Sequence, residues 1–225
     1  MGSTSSRFVE IQVSNHTQTI ALKKPRTYLG LGHCSEPPLP ELSPGSSDTC
    51  RFSGDPILWG LVGTTSVHGV LVYEAESFTL AIYFSNPSEH EHLSMRLGLE
   101  LSPAKAHLSS LSDTYRRMSN GIYSSSDHEV RFARDIVDES HGTTQLSHGP
   151  VKVMAAMSRG ASSTLRVVLE EQKEPGEGVK TRKPWDVKGA RSKRSEILRQ
   201  LLREILADLE ASGWPENPAG TSGTP

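Results

Sequence analysis

The sequence predicts a mainly β protein, an antiparallel β-sandwich with one short helix, followed by a separate C-terminal amphipathic helix. Three observations predict it. Apolar and polar residues alternate over several short segments, one stretch between them switches to helical spacing, and composition shifts abruptly after Gln172.

The alternation begins with Val9, Ile11 and Val13 set against Phe8, Glu10 and Gln12, the period of a half-buried strand. Leu80-Ala81-Ile82-Tyr83-Phe84 after Thr79 is a continuous apolar run and reads as a buried strand running into a turn at Pro87. Met95, Leu97, Leu99 and Leu101 alternate with Arg96, Gly98 and Glu100. Val130, Phe132 and Arg134 form a weaker set. Val151, Val153 and Ala155 form the next, and Leu165, Val167 and Leu169 close the series. Short strands separated by turn residues indicate an antiparallel sandwich. Between Pro103 and Ile122, Leu108, Leu111, Tyr115 and Met118 recur at helical steps, which predicts a helix over 107–119 with Asn120-Gly121 as its stop.

After Gln172, Lys173-Glu174-Pro175-Gly176-Glu177-Gly178 reads as a linker, and a basic stretch follows from Lys180 to Arg194. Ile197, Leu198, Leu201, Leu202, Ile205, Leu206 and Leu209 then form a broad apolar stripe at helical spacing. The expected organisation is a flexible N-terminus over 1–6, the sandwich over 7–172 and a basic linker over 173–194. An amphipathic helix over 195–211 and a disordered tail over 212–225 complete it.

Bulk properties exclude several classes. A length of 225 residues allows one domain with an appendage or two small ones. A net charge of −2 provides no broad field toward nucleic acid, and none is expected as a partner. No apolar run approaches the roughly eighteen residues of a spanning helix. There is no Gly-rich phosphate loop, nucleophile elbow or HExxH, and an enzyme is not expected. No metal or other cofactor is implied: Glu89, His90, Glu91 and His92 alternate on a loop, a weak ligand pattern that also reads as a charged, pH-responsive segment. Cys34 and Cys50 have no zinc spacing. They are expected to be reduced thiols, and a bridge between them would be worth about 3 kcal/mol.

The start of the chain lacks an apolar h-region, so no signal peptide is expected. It fits the pattern for myristate on Gly2 as well as an ordinary tail. The expected location is cytoplasmic and peripheral to membrane. Lys180-Thr181-Arg182-Lys183 and Arg191-Ser192-Lys193-Arg194 also match a bipartite nuclear signal.

Several segments together resemble one family. They are Arg7–Thr17 with its Asn15-His16-Thr17 turn, Lys24-Pro25-Arg26-Thr27-Tyr28 and Pro37-Pro38-Leu39-Pro40. Ser66–Tyr73 before Thr79–Pro87, and Ser158-Arg159-Gly160 before Thr164–Leu169, complete the set. In order and spacing they are similar to the actinoporins, the pore-forming cytolysins of sea anemones, and to their vertebrate actinoporin-like relatives. The resemblance implies a central hairpin from the fourth and fifth of these segments. It also implies a lipid-headgroup site in which Val67, Ser85 and Pro87 match the family's valine and Ser-x-Pro turn. The family's tyrosine-rich helix is reduced to Tyr115, followed by Arg116 and Arg117. Aromatic faces attract a quaternary ammonium, whereas guanidiniums pair with phosphate, so anionic headgroups are expected to be favoured over choline.

Two departures qualify the resemblance. The family's aromatic membrane loop is replaced by Ser88-Glu89-His90-Glu91-His92-Leu93, and its pore-forming N-terminal helix has no counterpart in the six residues before Arg7. The expected function is therefore peripheral membrane-lipid binding with weak or no pore formation. The alternative is a protein-interaction module. For the C-terminal stripe, core docking or self-association comes first and interfacial membrane binding second. BH3-like docking in a partner groove is third, with Ala207 and Asp208 one place late for that motif.

Overall fold

The computed structural model of the chain describes residues 7–55, 66–88, 93–104, 110–123, 129–138 and 141–172. Within them lie β1 (Phe8–Asn15), β2 (Leu22–Leu31), β3 (His33–Glu36), β4 (Glu41–Leu42), β5 (Ser47–Ser53), β6 (Val67–Glu74) and β7 (Phe78–Asn86). They are followed by β8 (Arg96–Pro103), α1 (Leu111–Asn120), β9 (Arg131–Ile136), β10 (His141–His148), β11 (Val151–Ser158) and β12 (Ser162–Glu171). The strands form two six-stranded sheets, in the orders β10-β11-β12-β1-β5-β3 and β4-β2-β6-β7-β8-β9. This is the β-sandwich that the alternation predicts.

The alternation in β1 works as a two-faced strand should. Val9, Ile11 and Val13 are buried in the main core with Leu165, Val167 and Leu169 of β12. Their strands pair in parallel, Ile11 opposite Leu165 and Val13 opposite Val167, whereas the other described pairings are antiparallel. A parallel pair requires a long crossover, and here it consists of everything between β1 and β12. Asn15 ends β1 in a local turn, its Oδ1 accepting from the Thr17 hydroxyl at 2.7 Å and its Nδ2 donating to the Ile20 carbonyl at 2.7 Å.

Strands β6 and β7 are a hairpin, with Val72 opposite Ala81 and His68 opposite Ser85. Their burial is nearly unbroken because both faces are covered. Leu71, Tyr73, Leu80, Ile82 and Phe84 enter the main core. Val70, Val72, Ala81 and Tyr83 face outward under α1, against Met118, Leu111 and Tyr115. Fully burying a side chain such as Met118 contributes about 1.5–3 kcal/mol, enough to hold a helix too short to be stable alone.

The expected helix start at 107 is corrected to Leu111. Ser110 is extended at φ −158°, and its hydroxyl accepts the Asp113 N–H at 3.2 Å, so it caps the helix rather than continuing it. Leu108 lies outside the described residues. At the other end Gly121 adopts φ 69° and donates to the Arg117 carbonyl at 2.8 Å, a left-handed stop that favours glycine.

Strands β2, β3, β4, β5 and β10 carry no strong alternation. They run mostly near the edges of the sheets, where one face is wet and polar residues suffice. Cys34 on β3 lies opposite Phe52 of β5 rather than Cys50. Both cysteines are free thiols. Burial pushes both thiols above their ordinary range, Cys50 the further because it is more deeply buried, with the Asp48 charge adding to the effect.

Candidate functional site

The outer face of the second sheet carries a cluster built from four elements. β2 contributes Tyr28, β6 His68, β7 Tyr83 and Ser85, and α1 Tyr115. Tyr115 is the hub: its ring lies 5.4 Å from Tyr28 and 6.0 Å from Tyr83, and stacks on His68 at 5.6 Å. Its hydroxyl shares a 2.7 Å hydrogen bond with His68 Nδ1. Gly30 of β2 lies beneath this pair. A Cβ there would come within 2.5 Å of His68 Cε1 and 2.7 Å of the Tyr115 hydroxyl, so the close approach depends on the missing side chain.

Burial, then the neighbouring phenols Tyr83 and Tyr28, push the Tyr115 hydroxyl up to about 12. Burial also raises Tyr83, opposed by a hydrogen bond with the Ser85 hydroxyl. Both phenols are therefore neutral hydrogen-bonding groups at physiological pH. Tyr83 is only 4% exposed and Tyr28 37%, so Tyr28 is the ring most open to solvent.

A second polar cluster lies beside it under the same helix. Glu100 of β8 is fully buried and accepts from Arg117 Nε at 3.1 Å and Nη2 at 2.7 Å. It also accepts from the Tyr123 hydroxyl at 2.6 Å and the Ser102 hydroxyl at 2.7 Å. The Arg117 guanidinium stands 5.5 Å over the Tyr123 ring. Burial works against its charge, but the Glu100 carboxylate outweighs this and holds its pKa above the ordinary value.

The residues proposed from sequence divide accordingly. Ser85 joins the aromatic cluster through its hydrogen bond with Tyr83, whose ring neighbours that of Tyr115. Val67 stands apart: its partner across the hairpin is Asn86, so it takes the opposite face from Ser85 and is fully buried in the main core. Pro87 is buried just beyond β7, on the wall of a cleft at the strand ends. Arg117 is occupied by Glu100 and is a structural cation. Arg116 points to solvent and pairs with Asp113 at 2.7 Å. Gly2 and the stripe Ile197, Leu198, Leu201, Leu202, Ile205, Leu206 and Leu209 lie outside the described residues, as does the segment Glu89–His92.

Sequence reasoning missed Tyr28, His68 and Tyr83, and the tyrosine set is fuller than α1 alone suggests. Tyr83 was accessible, because it lies two residues before Ser85 and shares its face. The hairpin register places His68 opposite Ser85. Tyr28 had no comparable signal, since β2 reaches β6 across some forty residues of intervening chain.

Aromatic rings beside a hydroxyl can face a choline-like cation and donate to a phosphate oxygen. No family model matches the chain, and no curated protein does. Among solved structures the chain is similar to the lipid binding protein Nakanori, with a TM-score of 0.53 and 14% identity over 73% of this chain and 71% of that one. The two share a fold.

Proposed function

We propose that this chain is a peripheral lipid-binding protein that receives a phosphorylated headgroup at the outer-face cluster of Tyr28, His68, Tyr83, Ser85 and Tyr115. The supporting observation is that Ser85 and three tyrosines from separate elements converge on one face of a fold shared with a lipid-binding protein. In this reading anionic headgroups are preferred over phosphatidylcholine. A quaternary ammonium is best held by several accessible rings, and Tyr83 is almost covered. Arg116 and the basic segment 180–194 add positive charge toward an anionic leaflet, each residue near the surface contributing about 1 kcal/mol. The cytoplasmic leaflet, rich in such lipids, is the proposed site of action.

Flotation of the full chain with vesicles of graded composition tests the reading, with an encapsulated dye to report lysis. Binding that rises with anionic lipid content and weakens with salt is expected. Failure to float with any composition overturns the proposal. The protein-interaction reading, which rests on the stripe from Ile197 to Leu209, then takes its place.

A further inference from the structure

At the end of the sandwich where β7 stops, a cleft of about 590 Å³ opens between the two sheets. It shares only Pro87 with the residues proposed above. One wall comes from the β7–β8 side, with Pro87, Ser88 and Leu93, and another from the end of β9, with Ile136 and Asp138. The third comes from Arg7 before β1 and Arg159 in the β11–β12 turn.

The cleft is braced by one buried side chain. Asn86 Nδ2 donates to the carbonyls of Gly160 at 2.9 Å, Ala161 at 3.1 Å and Phe8 at 3.2 Å, and its Oδ1 accepts from Arg7 Nη1 at 3.0 Å. The Ser88 N–H is held by the Ser66 hydroxyl at 2.7 Å. The Asn86 bonds tie the first sheet's turn to the second sheet's strand end.

Its charge and rim are complementary to one kind of molecule. Among the described residues, two guanidiniums and one carboxylate line it. The Asp138 carboxylate accepts the His141 N–H at 3.2 Å, which anchors it at the start of β10. The Arg159 guanidinium donates to the Asp138 carbonyl at 3.3 Å and has no carboxylate partner among the described residues. Ser88 and Ser94 are hydroxyl residues on the same lining. Leu93 and Ile136 are 62% and 52% exposed, large apolar side chains held in water on this cleft. A phosphate above a hydrocarbon boundary satisfies both features at once: guanidinium pairs with phosphate, and exposed apolar residues leave water on entering the interface.

We propose that this cleft is a second headgroup subsite, in which Arg159 contacts the phosphate of a membrane phospholipid while Leu93 and Ile136 seat in the interface. The proposal rests on the lipid-binding reading and adds a site distinct from the aromatic cluster. Arg159 is exposed, so Arg159→Gln leaves the fold intact, which a thermal melt checks. Flotation of the full chain on phosphatidic acid vesicles is expected to weaken about fivefold in this variant, one basic residue's share of the attraction. Arg159→Lys should retain part of the binding. Leu93→Ser with Ile136→Ser should weaken flotation yet leave amide shifts at Gly160 and Ala161 on titration with dihexanoyl phosphatidic acid. Wild-type flotation that Arg159→Gln does not change overturns the subsite and leaves lipid binding standing. Amide shifts as large with inorganic phosphate alone, with no loss of flotation in the Leu93 and Ile136 variant, also overturn it. A wild-type chain that never floats removes both readings.

Discussion

Helix α1 covers two polar clusters that use similar side chains to opposite ends. On one side Tyr28, His68, Tyr83, Ser85 and Tyr115 form a partly open group in which hydroxyls bond a hydroxyl and an imidazole. On the other, Glu100 and Arg117 form a closed ion pair finished by Tyr123 and Ser102. A buried charge must have its partners in place, because low dielectric makes an uncompensated one costly. The aromatic cluster contains no carboxylate–guanidinium pair among the described residues and is free of that constraint. Adjacent arginines on one helix thus have different surroundings: Arg117 holds the buried Glu100, while Arg116, with its side chain 73% exposed, faces solvent and pairs with Asp113.

The largest effect that would break this contrast comes from Arg117→Met. It removes the guanidinium that faces the buried Glu100 carboxylate, and a loss of about 3–5 kcal/mol in urea unfolding is expected. Adding Glu100→Gln should restore part of it, and a loss below about 1 kcal/mol would mean that the pair is not the keystone of that side. Next is Gly30→Ala, which places a methyl against His68 and Tyr115. Overpacking of this kind costs about 1–3 kcal/mol. Vesicle binding should fall with it, and unchanged binding would detach the cluster from function.

Tyr73→Phe sharpens the comparison from inside the core, where the Tyr73 hydroxyl is buried with no hydrogen-bond partner among the described residues. Unlike Tyr123, it is expected to be dispensable, its removal neutral or stabilising by up to about 1–2 kcal/mol. A clear loss of stability on denaturation would point to an unseen partner.

Alkaline titration addresses the open cluster. A phenol of ordinary pKa 10.0 that rises to about 12 on folding keeps its proton longer in the native state. Tyr115 therefore contributes stability that is full below pH 10 and lost as pH rises toward 12. Tyr115→Phe should flatten that slope in ultraviolet-monitored unfolding, and an unaltered slope would place the titration elsewhere. Smallest is Arg116→Gln, within about 0.5 kcal/mol of wild type in stability. Its expected signature is weaker flotation on anionic vesicles only, and equal loss on phosphatidylcholine would contradict a charge-based role.

Much of the scaffold was legible before any coordinates. β1, β8, β11 and β12 show their alternation because their inner faces meet an apolar core. The stop of α1 shows in Asn120-Gly121 because only a left-handed residue ends a helix that way. β2 was not legible, since Lys23, Lys24 and Arg26 pair with carboxylates at the surface and give no apolar period. The start of α1 was misread for a related reason: Leu108 continues the helical spacing, but the Ser110 cap interrupts it.

The sequence by itself determined the fold class, the central strands and the presence of the short helix. Those follow from periods of two and of three to four residues, which are local and survive in a string of letters. The tertiary structure alone decided which residues share a surface. Val67 fell to the core because one step along a strand reverses the face. Arg117 rather than Arg116 met Glu100 because one step along a helix turns the side chain by about a hundred degrees. Tyr28 joined Tyr115 because β2 pairs with β6, a long-range contact set by sheet order and not by any neighbouring residue.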